Sequence, residues 1–225
     1  VSLPRDVVLK ELGIAPVWRL KRQQASAAPA LAGEAGTDRR AGILNMDWEQ
    51  LGAAVASCTA CDLYKTRTQG VLGVGDRQAE WLIIGEAPGA DEDAQGEPFV
   101  GQAGKLLDAM LAAIGLQRGE NVYIANVLKS RPPGNRNPAP EEVAACLPYL
   151  ERQIQLIQPK IILALGRFAV RSLLDTEEAI GRLRGRVHQY QGIPLVVTYH
   201  PAYLLRNLPD KQKAWEDLCL ARATL

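Results

Sequence analysis

Trp81-Leu82-Ile83-Ile84 runs directly into Gly85-Glu86-Ala87-Pro88-Gly89, and the reading of this passage decides the fold. Four apolar residues without a polar interruption predict a strand buried on both faces, ended by the Gly/Pro-rich loop that follows. The same kind of run recurs at Val122-Tyr123-Ile124-Ala125, Ile161-Ile162-Leu163-Ala164 and Leu195-Val196-Val197-Thr198. Helical periodicity fills the intervals, over Ala103–Ile114, over Pro140–Ile157 with proline in its first turn, and over Arg167–Leu174. A closing helix is expected from Pro209 to about Ala223. Fully apolar strands alternating with helices predict an α/β fold, with a mostly parallel sheet covered by helices on both faces.

Composition agrees with a globular chain. Of 225 residues, 47% are hydrophobic and 23% charged, which excludes a long disordered or coiled-coil protein. No stretch approaches the ~18 uninterrupted apolar residues of a membrane-crossing helix. Residues 1–22 carry charge throughout and lack the apolar core of a signal peptide, so a cytoplasmic protein is expected. A net charge of +1 says little about partners, because a basic patch can hide inside a balanced total. Four cysteines in a reducing compartment point to metal binding or burial rather than to disulfides.

Three regions are expected. Residues 1–24 hold a short apolar and basic peptide, and residues 25–43 form an Ala/Gly-rich stretch with almost no large apolar side chains. The latter buries too little to offset chain entropy and is expected to be a flexible linker. Residues 44–225 are the compact domain.

Loops at the carboxyl ends of parallel strands are where open α/β sheets bind ligands. The first strand is followed by Gly85-Glu86-Ala87-Pro88-Gly89, the second by Asn126 to Asn137, and the fourth by His200-Pro201-Ala202-Tyr203-Leu204-Leu205-Arg206. His200 ends a strand in this rim, where catalysis is the favoured reading, whereas His188, in a polar strand beside Gln189 and Tyr190, reads as structural. Asn126 offers an amide donor and acceptor side by side. Two near-matches fail. Asp91-x-Asp93-x-Gln95-Gly96 begins like a calcium loop, but its twelfth position is Gln102 instead of glutamate. Gly96 and Gly101 have phosphate-loop spacing, but Gln102 stands in place of the lysine. Cys58-x-x-Cys61 follows a helix expected over Asp47–Ser57 and suits a metal or a redox pair, with Cys146 a third candidate ligand. Cys219 shares a helical face with Trp215 and Leu218 and reads as core.

In order along the chain, Gly85-Glu86-Ala87-Pro88-Gly89-x-x-Glu92-Asp93, Gly96-x-Pro98-Phe99-Val100-Gly101-x-Ala103-Gly104, Asn126-x-x-Lys129-x-Arg131-Pro132-Pro133-x-Asn135-Arg136 and His200-Pro201-Ala202-x-Leu204-Leu205-Arg206 resemble the family 4 uracil-DNA glycosylases, over about Cys58 to Leu220. The resemblance implies a three-layer α/β/α sandwich with a four-stranded parallel sheet, and excision of uracil from DNA by a monomer. It implies a uracil site of Gly85, Glu86, Phe99, Asn126 and His200, with Glu86 and His200 catalytic. Lys129, Arg131, Arg136 and Arg206 lie on the loops nearest that site and are expected to meet DNA phosphates, with Leu204 and Leu205 as apolar wedges. The resemblance also implies a [4Fe-4S] cluster held by Cys58, Cys61 and Cys146 that ties the Cys58 helix end to the Lys129–Arg136 loop. The fourth ligand position holds Ser130 where family members have cysteine. Thiolates, not hydroxyls, suit such clusters, which leaves ligation by Ser130, an incomplete cluster, or none, with Cys219 a substitute only if its helix end packs beside the other three. A cluster is expected in the folded protein, its fourth iron bound by Ser130, water or nothing.

Residues 7–20, with Leu9-x-x-Leu12-Gly13-Ile14 and Trp18-x-Leu20, resemble the N-terminal peptide of the psi subunit of the DNA polymerase III clamp loader, which docks on the chi subunit. The alternative reading is therefore a non-catalytic glycosylase-fold subunit tethered to the replication machinery.

Overall fold

The four apolar runs are the middle of one six-stranded sheet. The structure, a computed structural model, describes residues 32–225, of which residues 39–225 form one compact unit. Its strands are β1 (Val74–Gly75), β2 (Trp81–Gly85), β3 (Val122–Asn126), β4 (Ile161–Leu165), β5 (Val187–Tyr190) and β6 (Ile193–Thr198), in the order β1-β3-β2-β4-β6-β5. The four middle strands are parallel, with Trp81 level with Val122 and with Ile161, and Gly85 level with Asn126. The two edge strands are antiparallel to their neighbours, so the four-stranded parallel sheet is extended on both sides. β1 is too short to show a pattern, and β5 is exposed or half-buried along its length, as an edge can be.

The helices are α1 (Ala32–Leu44), α2 (Trp48–Ala56), α3 (Ala90–Gln95), α4 (Gln102–Ala113), α5 (Pro140–Ile157), α6 (Gly166–Leu174), α7 (Ile180–Leu183), α8 (Pro201–Leu204) and α9 (Lys211–Thr224). Successive strand residues point to opposite faces, which splits the core into two layers. Leu82, Ile84, Ala125, Ile162 and Val197 pack with Leu150 and Ile154 of α5 and Val170 of α6. Ile83, Ile124, Leu163 and Val196 pack with Leu107 and Leu111 of α4 and Leu218 of α9. The three-layer sandwich follows from that alternation.

The expected linker over 25–43 is corrected within the described residues: the chain is helical from Ala32. The end of α1 is held by tertiary contacts that composition does not show. Ile43 is buried against Leu51, Val55 and Tyr149, Arg39 donates to Ala145 O at 3.0 Å, and Arg40 pairs with Glu151 at 2.7 Å. The peptide of residues 7–20 lies outside the described residues. No described helix is long and apolar enough to cross a membrane.

Candidate active site

The chain leaves β2 toward one edge of the sheet and β4 toward the other, and open α/β sheets bind ligands beyond the carboxyl ends of strands at such a switch. A cavity of about 770 Å3 lies there, within the ~300–1,000 Å3 of small-ligand sites. Glu86, Phe99, Asn126, Arg167, His200 and Arg206 are among its walls.

Asn126 is the last residue of β3 and is 2% exposed, so it is a buried amide rather than a surface turn residue. Its Oδ1 has no hydrogen-bond partner in the protein. Beneath it lies Gly85, where an added Cβ would stand 2.5 Å from Phe99 Cζ and closer still to Asn126 Oδ1. Only glycine lets the amide and the ring approach each other. Phe99 itself has φ 57°, in the left-handed region that costs a non-glycine residue ~1–2 kcal/mol. Two side chains hold it there. Arg118 donates to Pro98 O at 2.9 Å and to Phe99 O at 2.8 Å, and is itself paired with Asp108. Glu92 accepts from Gly89 N at 3.0 Å, from Val100 N at 3.1 Å and from Gly101 N at 3.2 Å, fastening the loop after β2 to the Phe99 loop.

His200 stacks on Phe99 with ring centroids 5.4 Å apart, and Gly166, at φ +83°, lets the start of α6 pass close to the His200 Cβ. Its Nδ1 accepts from Ala202 N at 3.2 Å at the start of α8. Burial, with Arg206 adding repulsion, brings its pKa down to about 4. The ring is therefore neutral at pH 7 and carries its proton on Nε2. Glu86 is moved the other way: burial raises its carboxyl to about 7, with Arg167 opposing. A neutral donor and a carboxyl poised near neutrality thus line one cavity, as acid–base chemistry requires.

Residues 72–219 match the family model described as Uracil DNA glycosylase superfamily. The chain belongs to that superfamily. Within it, the chain is 52% identical over 171 residues to the type-4 uracil-DNA glycosylase of Archaeoglobus fulgidus, an overlap of 72% of this chain and 85% of that protein. It is 42% identical over 185 residues to the type-4 uracil-DNA glycosylase of Pyrobaculum aerophilum, covering 78% and 93% of the two chains. Against that of Thermotoga maritima the identity is 45% over 161 residues, covering 71% and 83%. The chain is a member of the type-4 uracil-DNA glycosylase family.

Not every residue that the family resemblance pointed to faces the cavity. Lys129 is 1% exposed and donates to Asn126 O at 2.7 Å, Gln153 Oε1 at 2.6 Å and Leu72 O at 3.3 Å, so it is corrected from a DNA contact to a buried brace beneath Asn126. Burial pulls its ammonium down to about 7. Leu204 is corrected too. At 1% exposure it belongs to the core layer of α4 and α9, and no wedge can be buried there. Leu205 is 42% exposed, and Leu208, which the sequence reading passed over, is 60% exposed. Arg206 and Arg136 line the cavity, the latter bound to Glu142, while Arg131 sits beside it with its Nε on Asn135 Oδ1 at 2.8 Å. Cys219 is exposed rather than core, and His188 bonds Leu183 O at 2.7 Å. Arg167 was missed because the start of α6, which follows β4 directly, carries no motif, although the rule that found the loops at the other strand ends applies to it equally. Arg118 and Glu92 act on the Phe99 backbone from a distance along the chain and leave no sequence signal of that.

Three of the family's four cluster positions carry thiols, and the donor set does not fit a four-thiolate cluster. The Cys61 and Cys146 thiols act on each other: Cys146 brings Cys61 down to about 6 against the effect of burial, and Cys61, together with burial, pushes Cys146 up. Cys58 Sγ accepts from Arg39 at 3.7 Å. At the fourth position the buried Ser130 Oγ accepts from Arg67 at 2.7 Å. Among the described residues no three His, Cys, Asp or Glu side chains are spaced to hold a metal ion.

Proposed function

We propose that the chain hydrolyses the N-glycosidic bond between uracil and deoxyribose in DNA, leaving an abasic site. One observation carries the assignment of the base reader: the buried Asn126 amide, its Oδ1 without a partner, beside the Phe99 ring. A buried acceptor left unpaired costs ~1–3 kcal/mol, which a fold kept only as a scaffold has no reason to retain inside a cavity.

The target bond is hidden in a duplex, so the nucleotide swings out of the stack into the cavity. Phe99 offers a face to the base. Asn126 Nδ2–H donates to uracil O4, and Oδ1 accepts from N3–H. Cytosine presents the reverse pattern at both positions and leaves buried groups unpaired, which discriminates strongly. As C1′–N1 breaks, its electron pair leaves with the base and negative charge gathers on O2. The His200 Nε2–H donates to that oxygen, and a neutral ring at pH 7 supports this role. Water attacks C1′. Glu86 orients it and takes its proton, and the carboxylate offsets positive charge on the sugar. Arg206 and Arg136 at the rim suit phosphates, and Leu205 suits the gap left by the flipped nucleotide. No step is routed through Cys58, Cys61 or Cys146, none of which lines the cavity.

The test is Asn126→Ala in single-turnover excision from a duplex with one uracil, beside DNA binding by anisotropy. Excision should fall at least ~100-fold, the scale of losing a built polar contact at a reacting base, with binding little changed. A variant that excises uracil at the wild-type rate would remove Asn126 as the base reader.

A further inference from the structure

We infer that this chain holds no iron–sulfur cluster, and that the Arg67 side chain joins the segments that a cluster would join. The four positions do come together. Cys58 follows α2, Cys61 precedes a short 3-10 turn at Asp62–Lys65, Ser130 lies in the loop after β3, and Cys146 is on α5. In place of a metal centre, the Arg67 guanidinium makes hydrogen bonds across these segments. Arg67 Nη1 donates to Ser130 Oγ at 2.7 Å, while Nη2 donates to Ala56 O at 2.7 Å and to Cys58 O at 3.0 Å. One planar guanidinium therefore fastens the end of α2 and the Cys58 turn to the loop after β3, and its fork of fixed donors suits that task.

The ligand chemistry points the same way. Iron–sulfur clusters are held by thiolates, and a hydroxyl is a hard, weakly acidic donor that suits iron in a cluster poorly. Ser130 Oγ also has one lone pair engaged by a fixed cation, next to where a further cation would have to sit. Two of the thiols are likewise engaged as acceptors: Cys146 Sγ accepts from Lys129 N at 3.5 Å and Cys58 Sγ from Arg39 at 3.7 Å. Three of the four side chains, Cys58, Ser130 and Cys146, already have a hydrogen-bond partner within the protein.

The inference is independent of the uracil reading, and its test reads metal and stability rather than activity. Full-length protein is purified without oxygen from cells supplied with iron, then examined by visible absorbance and by iron and sulfide analysis. Colourless protein with trace iron is expected, whereas stoichiometric iron and sulfide would overturn the inference. Ser130→Cys, handled identically, should turn brown and take up iron and sulfide toward four of each per chain, the content of a [4Fe-4S] centre. If it stays colourless, Ser130 is not what excludes the cluster. Arg67→Ala in the otherwise unchanged chain should lower the urea midpoint with no change in iron content. An unchanged midpoint would show that Arg67 does not tie these segments.

Discussion

Gly85→Ala tests the site at its tightest point. The new methyl would lie 2.5 Å from Phe99 Cζ and 2.7 Å from Cε2, where non-bonded carbons prefer ~3.5–4.0 Å. The ring must retreat by about 1 Å or the Asn126 amide must turn away, a displacement of the size that costs ~100-fold in rate when it misplaces reacting groups. In free energy that is about 2.7 kcal/mol of transition-state stabilisation. The ring has little freedom to escape. Its carbonyl is held by Arg118, its following amides by Glu92, and its face by His200. The sheet should survive, because the methyl leaves the pairing of β2 with β3 and β4 intact and overpacking costs ~1–3 kcal/mol. The assay is single-turnover excision at saturating enzyme, with urea denaturation and DNA anisotropy on the same sample. A ~100-fold slower rate in a folded, DNA-binding variant is expected. A rate close to wild type would refute the proposed packing of base reader and stacking ring over Gly85.

Excision should rise with pH through about 7 as Glu86 ionises, with no limb from His200, which stays neutral down to about 4. Glu86→Gln should be slow and flat in a rate profile between pH 6 and 8, and a profile still inflected near 7 would assign the base elsewhere. Stability carries the matching sign. Because folding raises this carboxyl, its contribution is full below 4.5 and is lost as the pH rises through about 7, so Glu86→Gln should flatten urea midpoints across that window. DNA affinity should fall with salt, and Arg206→Ala should reduce the log–log slope by about 1. Lys129→Met should leave that slope unchanged and lower the urea midpoint, since it strands Gln153 Oε1 and Asn126 O at ~1–3 kcal/mol per unpaired group. A flattened slope in Lys129→Met would return that lysine to the DNA surface.

The parallel core was legible because β2, β3, β4 and β6 are buried on both faces for most of their length, so each announces itself as an apolar run. α5 was legible at both ends, and its start explains why: Pro140 opens it, and Glu142 reaches back to Ala139 N at 2.8 Å. What escaped depends on partners far along the chain. The end of α1 owes its order to Ala145, Tyr149 and Glu151 on another helix, and its own composition argues for a linker. Lys129 stands among arginines and prolines and reads as solvated, yet Gln153 and two backbone carbonyls complete its shell inside the protein. Leu204 and Leu205 are indistinguishable as a pair in sequence, and the turn of α8 alone decides which of them is buried. Of the pocket residues, the strand-end loops pointed to Glu86, Asn126 and His200, and the family resemblance added Phe99. The proton on His200 Nε2 could not be read without the bond from Ala202 N.

The most direct measurement is release of free uracil by the full-length chain from a duplex carrying one uracil opposite guanine, with excess enzyme and a cytosine duplex as control. Free uracil equivalent to the substrate, an alkali-labile site at the same position, and no release of cytosine are expected. An intact strand and no free base at stoichiometric enzyme would contradict the glycosylase reading.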